Sequence, residues 1–234
     1  LFQKTESCLG VDIGAQGMKL VEIKKAKGRP QLWTYGILDQ SLDIHVHAAK
    51  EKVTASIDPA VAFRAPYSPV QVPEPPKKPV ASTNSPDERI DVYAEYLKAL
   101  VKESKATTNQ VTASLPLSYI FHAIVTLPMV PTKEIEHHVH AKVDKLFSRP
   151  VSELQVLHQV IPDNTPDDKK KSLRVLVTAA PIELIYFYTT IFKKAGLVLQ
   201  ELETEAFALE RSLVGHDTAT VMVVDVGAER TNFF

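Results

Sequence analysis

Cysteine is almost missing from this chain: Cys8 is the one thiol in 234 residues. That excludes an internal disulfide and a Cys-rich zinc site, and makes a reducing compartment the default expectation. An excess of either charge is missing too. Lys+Arg is 27 and Asp+Glu is 28, a formal net charge of −1. This balance argues against a general nucleic-acid binder and against a polybasic membrane anchor. No apolar run approaches the roughly 18 residues of a spanning helix, and no signal peptide opens the chain. Familiar catalytic signatures are also lacking. No Gly-Lys-Ser/Thr follows a Gly-rich stretch, so there is no Walker loop. No Gly-x-Ser-x-Gly elbow, His-Glu-x-x-His order or carboxylate dyad stands out. An enzyme with visible catalytic residues is poorly supported.

What is present is an ordinary globular composition, 44% apolar and 24% charged, long enough to bury a sizeable core. The length suits one large domain or two small ones. The chain starts at Leu1 without a Met, stops at Phe234 inside an apolar run, and reads as a fragment. The segment 8–13 is short and apolar and runs into a turn at 14–17. Over 18–24, Leu20, Val21 and Ile23 set against Lys19, Glu22 and Lys24 read as a return strand, and 31–38 as a third. Prolines 59, 66, 69, 73, 75, 76, 79 and 86 crowd the stretch 58–86. It reads as a long surface loop, most simply a connection, otherwise a strip for a partner with an aromatic groove.

Order resumes at Ser85-Pro86-Asp87-Glu88, a capping box that starts a helix burying Tyr93, Leu97, Leu100 and Val101. Strands are expected over 110–115, 121–127, 154–161, 173–178, 198–202 and 220–224. Helices are expected over 132–147 (Ile135, Val139, Val143 and Leu146 inward), 182–195 and 205–214. Hairpins mixed with strand–helix crossovers predict an α/β fold with a mixed sheet. The helices at 132–147 and 182–195, flanking two strands, could form a subdomain.

The strongest local feature is a repeated Asp-x-Gly turn, Asp12-Ile13-Gly14-Ala15 and Asp225-Val226-Gly227-Ala228, each after an apolar strand. Such a turn presents backbone N–H groups in a concavity that suits phosphate. Glycine lets the ligand approach, and each Asp could hold Mg²⁺ through water. The plain alternative is two ordinary hairpin turns. The first turn leads into a strand rather than a helix, so it is no Rossmann site. His137, His138 and His140 share a helix with Glu134 and Glu136. Two such ligands could hold zinc, but a solvated charged face is the simpler reading. His45 and His47 read as an exposed strand or loop, and Cys8 as a structural thiol.

The two turns and the order of pieces between them resemble the actin-like ATPase superfamily, and within it the PilM family of type IV pilus assembly. Leu9-Gly10-Val11-Asp12-Ile13-Gly14 followed by Met18-Lys19-Leu20-Val21-Glu22-Ile23 resembles that family's first phosphate hairpin. Residues 224–229 resemble the second. The runs 123–128, 134–145, 148–153, 175–180, 194–197 and 203–209 continue the likeness, which covers most of the chain outside about 39–86. Ala15-Gln16-Gly17 departs from it by lacking the usual hydroxyl.

The resemblance implies an actin-like, ribonuclease H-like lobe with a mixed sheet and a small inserted α+β subdomain, the second lobe truncated. It divides the chain into a first-lobe core at 1–129 with its Pro-rich loop at about 58–86. An FtsA/PilM-type subdomain follows at 130–195, a return to the lobe at 196–219, and the start of the second lobe at 220–234. It implies ATP held with Mg²⁺ by Asp12, Gly14, Ala15, Gln16, Gly17, Lys19, Asp225, Gly227, Ala228 and Glu229, the metal at Asp12 and Asp225. With the adenosine part absent, this chain would hold ATP poorly. Hydrolysis would be slow at most, the nucleotide acting as a structural or regulatory ligand.

The implied partners are the cytoplasmic N-terminal peptide of a PilN-like inner-membrane protein and other pilus inner-membrane assembly proteins. No nucleic acid is implied, and the membrane only indirectly. The peptide groove would be lined by 121–127, 132–147 and the following strands, unless those residues are simply core. The location would be cytoplasmic, peripheral to the inner membrane through partners. Alternatives are an FtsA-like polymerising division protein, a GspL-like type II secretion component and, with no candidate base, a small-molecule kinase.

Overall fold

The computed structural model describes residues 7–44, 62–65, 68–70, 86–146, 150–162, 172–214 and 220–233. Two compact units emerge: Leu1–Pro116 together with Phe187–Phe234, and Leu117–Tyr186. The second unit starts and ends earlier than the expected 130–195.

The first unit opens with the expected meander: β1 (Ser7–Gly14), β2 (Gly17–Ala26) and β3 (Arg29–Asp39), antiparallel throughout. Helix α1 (Pro86–Glu103) begins at the proline of the capping motif, whose Ser85 lies outside the described residues. Strand β6 (Gln110–Leu115) then pairs with β1 in parallel. On the helix, Ile90, Tyr93, Ala94, Leu97 and Leu100 recur at helical spacing and are buried. On the sheet, Leu9, Val11, Ile13, Met18, Leu20 and Leu38 are buried at strand spacing. The helix lies so close that a Cβ on Gly36 would sit 2.8 Å from Leu100 Cδ1.

The sequence pattern misplaced one turn of the pleat. Leu20, Val21 and Ile23 cannot all face inward, because side chains alternate strictly along a strand. In the structure Leu20 and Glu22 point in, while Val21 and Ile23 are exposed.

The Pro-rich stretch, expected as a loop, is strand in part. It contains β4 (Ala62–Ala65) and β5 (Ser68–Val70), which extend the sheet from β3. Pro69 lies in β5, the outermost strand, where a missing N–H breaks no ladder. The rest of that stretch, with His45 and His47, lies outside the described residues.

In the second unit, β7 (Phe121–Pro128), β8 (Leu154–Val160) and β9 (Ser172–Pro181) form an antiparallel sheet in the order β7-β9-β8. Helix α2 (Thr132–Leu146) covers one face. Ile135, Val139 and Val143 pack with Val125, Leu127, Leu154, Val175, Val177 and Ala179. Leu146, expected inward, is 57% exposed; it ends the helix, past the last buried position. The apolar side chains that α2 and β7 turn toward each other, expected either to line a groove or to be simply core, pack together as core. Helix α3 (Ile182–Lys194) leads from this unit into the first.

In the first unit, α3 contributes Phe187, Tyr188, Ile191 and Phe192 to the core. The Tyr188 hydroxyl donates to the Ile13 carbonyl at 3.3 Å, and Phe187 meets Tyr93 edge-on at 5.9 Å. Strand β10 (Val198–Thr204) pairs in parallel with β6, completing the order β10-β6-β1-β2-β3-β4-β5. Helix α4 (Glu205–Leu209) continues as a π turn over Glu210–Val214. Strands β11 (Val224–Val226) and β12 (Thr231–Phe233) form a separate two-stranded sheet.

The buried strand expected over 220–224 is thus not formed. Only Val224 is in a strand, and Val221, Met222, Val224 and Val226 are exposed. An apolar run becomes a buried strand only against a second surface, and β11 pairs with β12 alone. No helix among the described residues is long and apolar enough to cross a membrane.

Candidate functional site

Three strands of the larger sheet, β1, β6 and β10, run parallel. Of these, β1 has a parallel neighbour, β6, on one side and an antiparallel one, β2, on the other. The chain builds outward from β1 first to one side and then to the other, and the carboxyl end of strands at such a reversal of order is where open α/β sheets place ligands.

Asp12 stands there, on the face opposite the buried Val11 and Ile13. Its Oδ1 accepts a hydrogen bond from Ser114 Oγ at 2.9 Å. Its Oδ2 pairs with Lys19 Nζ at 3.2 Å, directly across the β1–β2 hairpin. The carboxylate is 37% and the lysine 64% exposed, so both are fixed near solvent with room for a ligand.

The turn between the strands is held from behind. Gly17 has φ +125°, and a Cβ there would lie 1.8 Å from the Leu38 carbonyl oxygen. Only glycine fits. The Ala15 carbonyl accepts from Leu42 N at 2.8 Å, and Gln16 Nε2 donates to Asp39 Oδ1 at 3.1 Å. Leu42 and Ile44 are buried. Arg89 pairs with Asp43 at 3.0 Å, and Tyr93 Oη donates to the Asp43 carbonyl at 2.8 Å. Burial, and secondarily the Asp43 charge, pushes the Tyr93 phenol well above its ordinary value, so it stays a donor. Helix α1 therefore braces segment 40–44, and that segment braces the turn. Gly14 is open by contrast, with no atom nearer than 3.8 Å to an added Cβ.

A fixed carboxylate, a lysine and the N–H groups of an open turn form a donor set that fits a phosphate and a hydrated Mg²⁺. No group of three His, Cys, Asp or Glu suited to direct metal ligation occurs among the described residues. That includes the α2 histidines; His137 and His138 meet edge-on at 6.0 Å. Cys8 Sγ is half-buried beside Thr112 Oγ1 at 3.8 Å.

Asp12, Gly14, Ala15, Gln16, Gly17 and Lys19 are thus brought together. Asp225, Gly227, Ala228 and Glu229 lie on the β11–β12 hairpin. It repeats the first layout in miniature: Asp225 Oδ2 accepts from Asn232 Nδ2, its cross-strand partner, at 3.3 Å. Gly227 N donates to the Arg230 carbonyl at 2.9 Å.

Three residues escaped the sequence reading. Ser114 holds Asp12 from a strand a hundred positions away, and only the β1–β6 register reveals it. Glu203 lies in register with Ser114 on β10 and pairs with Arg211. Glu22, fully buried, accepts from Ser7 Oγ and Thr107 Oγ1, each at 2.6 Å, and from Thr107 N at 2.8 Å. Lys24 is 3.6 Å away. Burial alone would raise its pKa, but the hydrogen bonds and Lys24 outweigh that and hold the carboxyl below its ordinary value.

In the second unit, the face of the sheet opposite α2 is open. His122, Thr178 and Leu157 form one cross-strand row, and Ile124, Leu176 and Gln159 the next. Ile124 and Leu157 are exposed. His122 Nδ1 lies 3.1 Å from Thr178 Oγ1, and burial lowers the histidine's pKa.

The fold is thus an α/β lobe with a mixed sheet, in which β1 ends in an acidic, glycine-bearing hairpin and a small α+β unit is inserted after β6. The family of type IV pilus assembly protein PilM matches residues 75–234, more than half of the chain, and the chain belongs to that family. A solved PilM–PilN type IV pilus biogenesis complex is similar at 22% identity and TM-score 0.63, over 97% of this chain and 56% of that one. The cytoplasmic domain of EpsL, an inner membrane component of the type II secretion system of Vibrio cholerae, is similar at 9% identity and TM-score 0.49. That likeness covers 87% of this chain and 59% of that one. This chain therefore spans little more than half the length of the structures it matches. No curated protein matches it.

Proposed function

We propose that the chain is part of an actin-like scaffold of type IV pilus assembly. It takes Mg²⁺-ATP at the first hairpin and the cytoplasmic N-terminal peptide of a PilN-like inner-membrane protein on the inserted unit. The family match over residues 75–234, which includes the whole of that unit, carries this reading. The PilM–PilN complex among similar structures supports the choice of partner.

At the hairpin, Lys19 and the N–H groups of 14–17 would meet phosphate, and Asp12 would hold hydrated Mg²⁺. Asp225, Gly227, Ala228 and Glu229 would serve a second phosphate turn. Bound nucleotide supplies charge that draws such turns together, and is a structural or regulatory ligand rather than a fuel. The protein would work in the cytoplasm, at the inner membrane through its partners. On the inserted unit, the sheet face that carries Ile124 and Leu157 in neighbouring rows would be the apolar surface offered to a peptide, since the α2 side is filled.

Calorimetric titration with a synthetic peptide from the cytoplasmic N-terminus of the cognate PilN-like protein tests this. Saturable one-to-one binding is expected, weakened at least about tenfold by Ile124→Lys or Leu157→Lys. No binding in the high micromolar range, with or without Mg²⁺-ATP, would overturn the peptide assignment.

A further inference from the structure

The whole-chain charge of −1 hides a local excess. From Ile23 to Leu38 the chain carries Lys24, Lys25, Lys27 and Arg29 and no acidic residue. These residues form the outer end of the β2–β3 arm. Ala26 pairs with Arg29 across a two-residue turn in which Lys27 (φ 52°) and Gly28 (φ 78°) are both left-handed. Lys25, Lys27 and Arg29 are exposed.

Behind the cations lie large apolar groups. Leu32 is 60% and Trp33 59% exposed, with Ile23, Val21 and Tyr35 partly so. The ladder shifts register here, Glu22 facing Thr34 and Ile23 facing Leu32, so Trp33 is the extra residue of a bulge. Leu32 shares the outward side with Ile23. Trp33 is stacked instead under Lys24, whose Nζ is 3.7 Å from the ring centroid and on the Glu22 side of the strand. Strand β4 reaches only Ile37–Asp39 of β3. Apolar groups thus occur on both sides of the arm, and cations at its tip.

A single protein partner would cover one side. A phosphodiester ladder would meet the cations but leave Leu32 and Ile23 idle. A bilayer interface surrounds an inserted arm, takes tryptophan at headgroup depth and attracts cations when its lipids are anionic. We propose that the β2–β3 arm is a docking site for an anionic lipid surface: Lys27 and Arg29 meet headgroup phosphates while Leu32 and Trp33 enter the interface.

Trp33 is the chain's one tryptophan, so its emission reports this arm alone. The 234-residue chain is titrated at low salt with vesicles of phosphatidylcholine, with and without phosphatidylglycerol, and with brominated versions. A blue shift and bromine quenching with the anionic vesicles only, reversed by high salt, is the expected result. Lys27→Asn with Arg29→Gln should weaken binding about 25-fold, at about fivefold per cation. Asn tolerates the left-handed turn position, and an unchanged melting temperature verifies that the double variant folds. Four outcomes would overturn the proposal. The first is no shift with anionic vesicles, and the second is pelleting without a shift. The third is equal shifts with duplex DNA. The fourth is a Trp33 that acrylamide cannot quench in the free chain, which would mean that a second copy covers the arm.

Discussion

The chain writes the same four-residue turn twice, Asp-x-Gly-Ala at 12–15 and at 225–228, and the two copies sit in different surroundings. The first ends β1, an interior strand of a seven-stranded sheet. Ser114 orients its aspartate, Leu42 holds its turn, and Leu38 fills the space behind Gly17. Among the described residues the second pairs only with its own return strand, and its valines face solvent. Four letters specify a turn; the neighbours decide whether that turn is rigid. A preorganised site needs supporting contacts as well as its own residues.

Substitutions can break or sharpen this contrast. The largest effect is expected at Gly17, with Gly227 as its counterpart. Gly17→Ala drives a methyl into the Leu38 carbonyl at a backbone angle that disfavours side chains, and should lose about 4 kcal/mol or more in denaturant unfolding. Gly227→Ala meets the Arg230 carbonyl at 3.1 Å, with no left-handed angle, and should lose only about 1 kcal/mol. Equal losses would mean that the surroundings do not distinguish the hairpins.

Next is the anchor of the first hairpin's return strand. Glu22→Gln sets an amide donor against the Ser7 and Thr107 donors and should lose about 2 kcal/mol. The same carboxylate gives a pH dependence. Its folded pKa lies below the ordinary 4.5, so its contribution is complete above that pH and fades as pH falls through the folded value. Glu22→Gln should therefore flatten the acid side of a melting-temperature profile between neutral pH and about pH 3. An unchanged profile would remove Glu22 from the account.

Smaller again is Ser114→Ala, expected to lose about 1 kcal/mol and to free the Asp12 carboxylate. Asn232→Ala, the matching change in the second hairpin, should stay within about 0.5 kcal/mol by the same denaturant assay. A reversal of this last pair would say that the second hairpin is the better supported one.

Much of the fold was legible because periodicity and punctuation are local. Gln110–Leu115 alternates cleanly and is a strand over those residues. The capping proline marks the start of α1, and Val139 and Val143 face the core as their spacing requires. The failures are nonlocal. Glu22 reads as an outward charge until Ser7 and Thr107 are seen to satisfy it. A proline-dense stretch reads as a loop until β3 offers it an edge. Ser114 and Glu203 carry no motif; strand register alone places Ser114 beside Asp12 and Glu203 beside Ser114. The groove expected against α2 meets a related limit. A pattern that marks the apolar side of a helix cannot say whether that side meets a partner or the protein's own sheet.

The buried Glu22 also has a consequence for the order of folding. The β1–β2–β3 meander closes over short turns and can assemble early, whereas Thr107 arrives only with α1 and the chain beyond it. Until then the young sheet carries on its otherwise oily side a carboxylate met only by Ser7 and Lys24, with its Thr107 donors missing. That charge keeps the half-formed surface wet and makes it a poor template for another copy, as inward-pointing charges do on exposed sheets. When Thr107 docks, the same group becomes part of the finished interior, so a residue that looks like a flaw in the core guards the chain before the core exists.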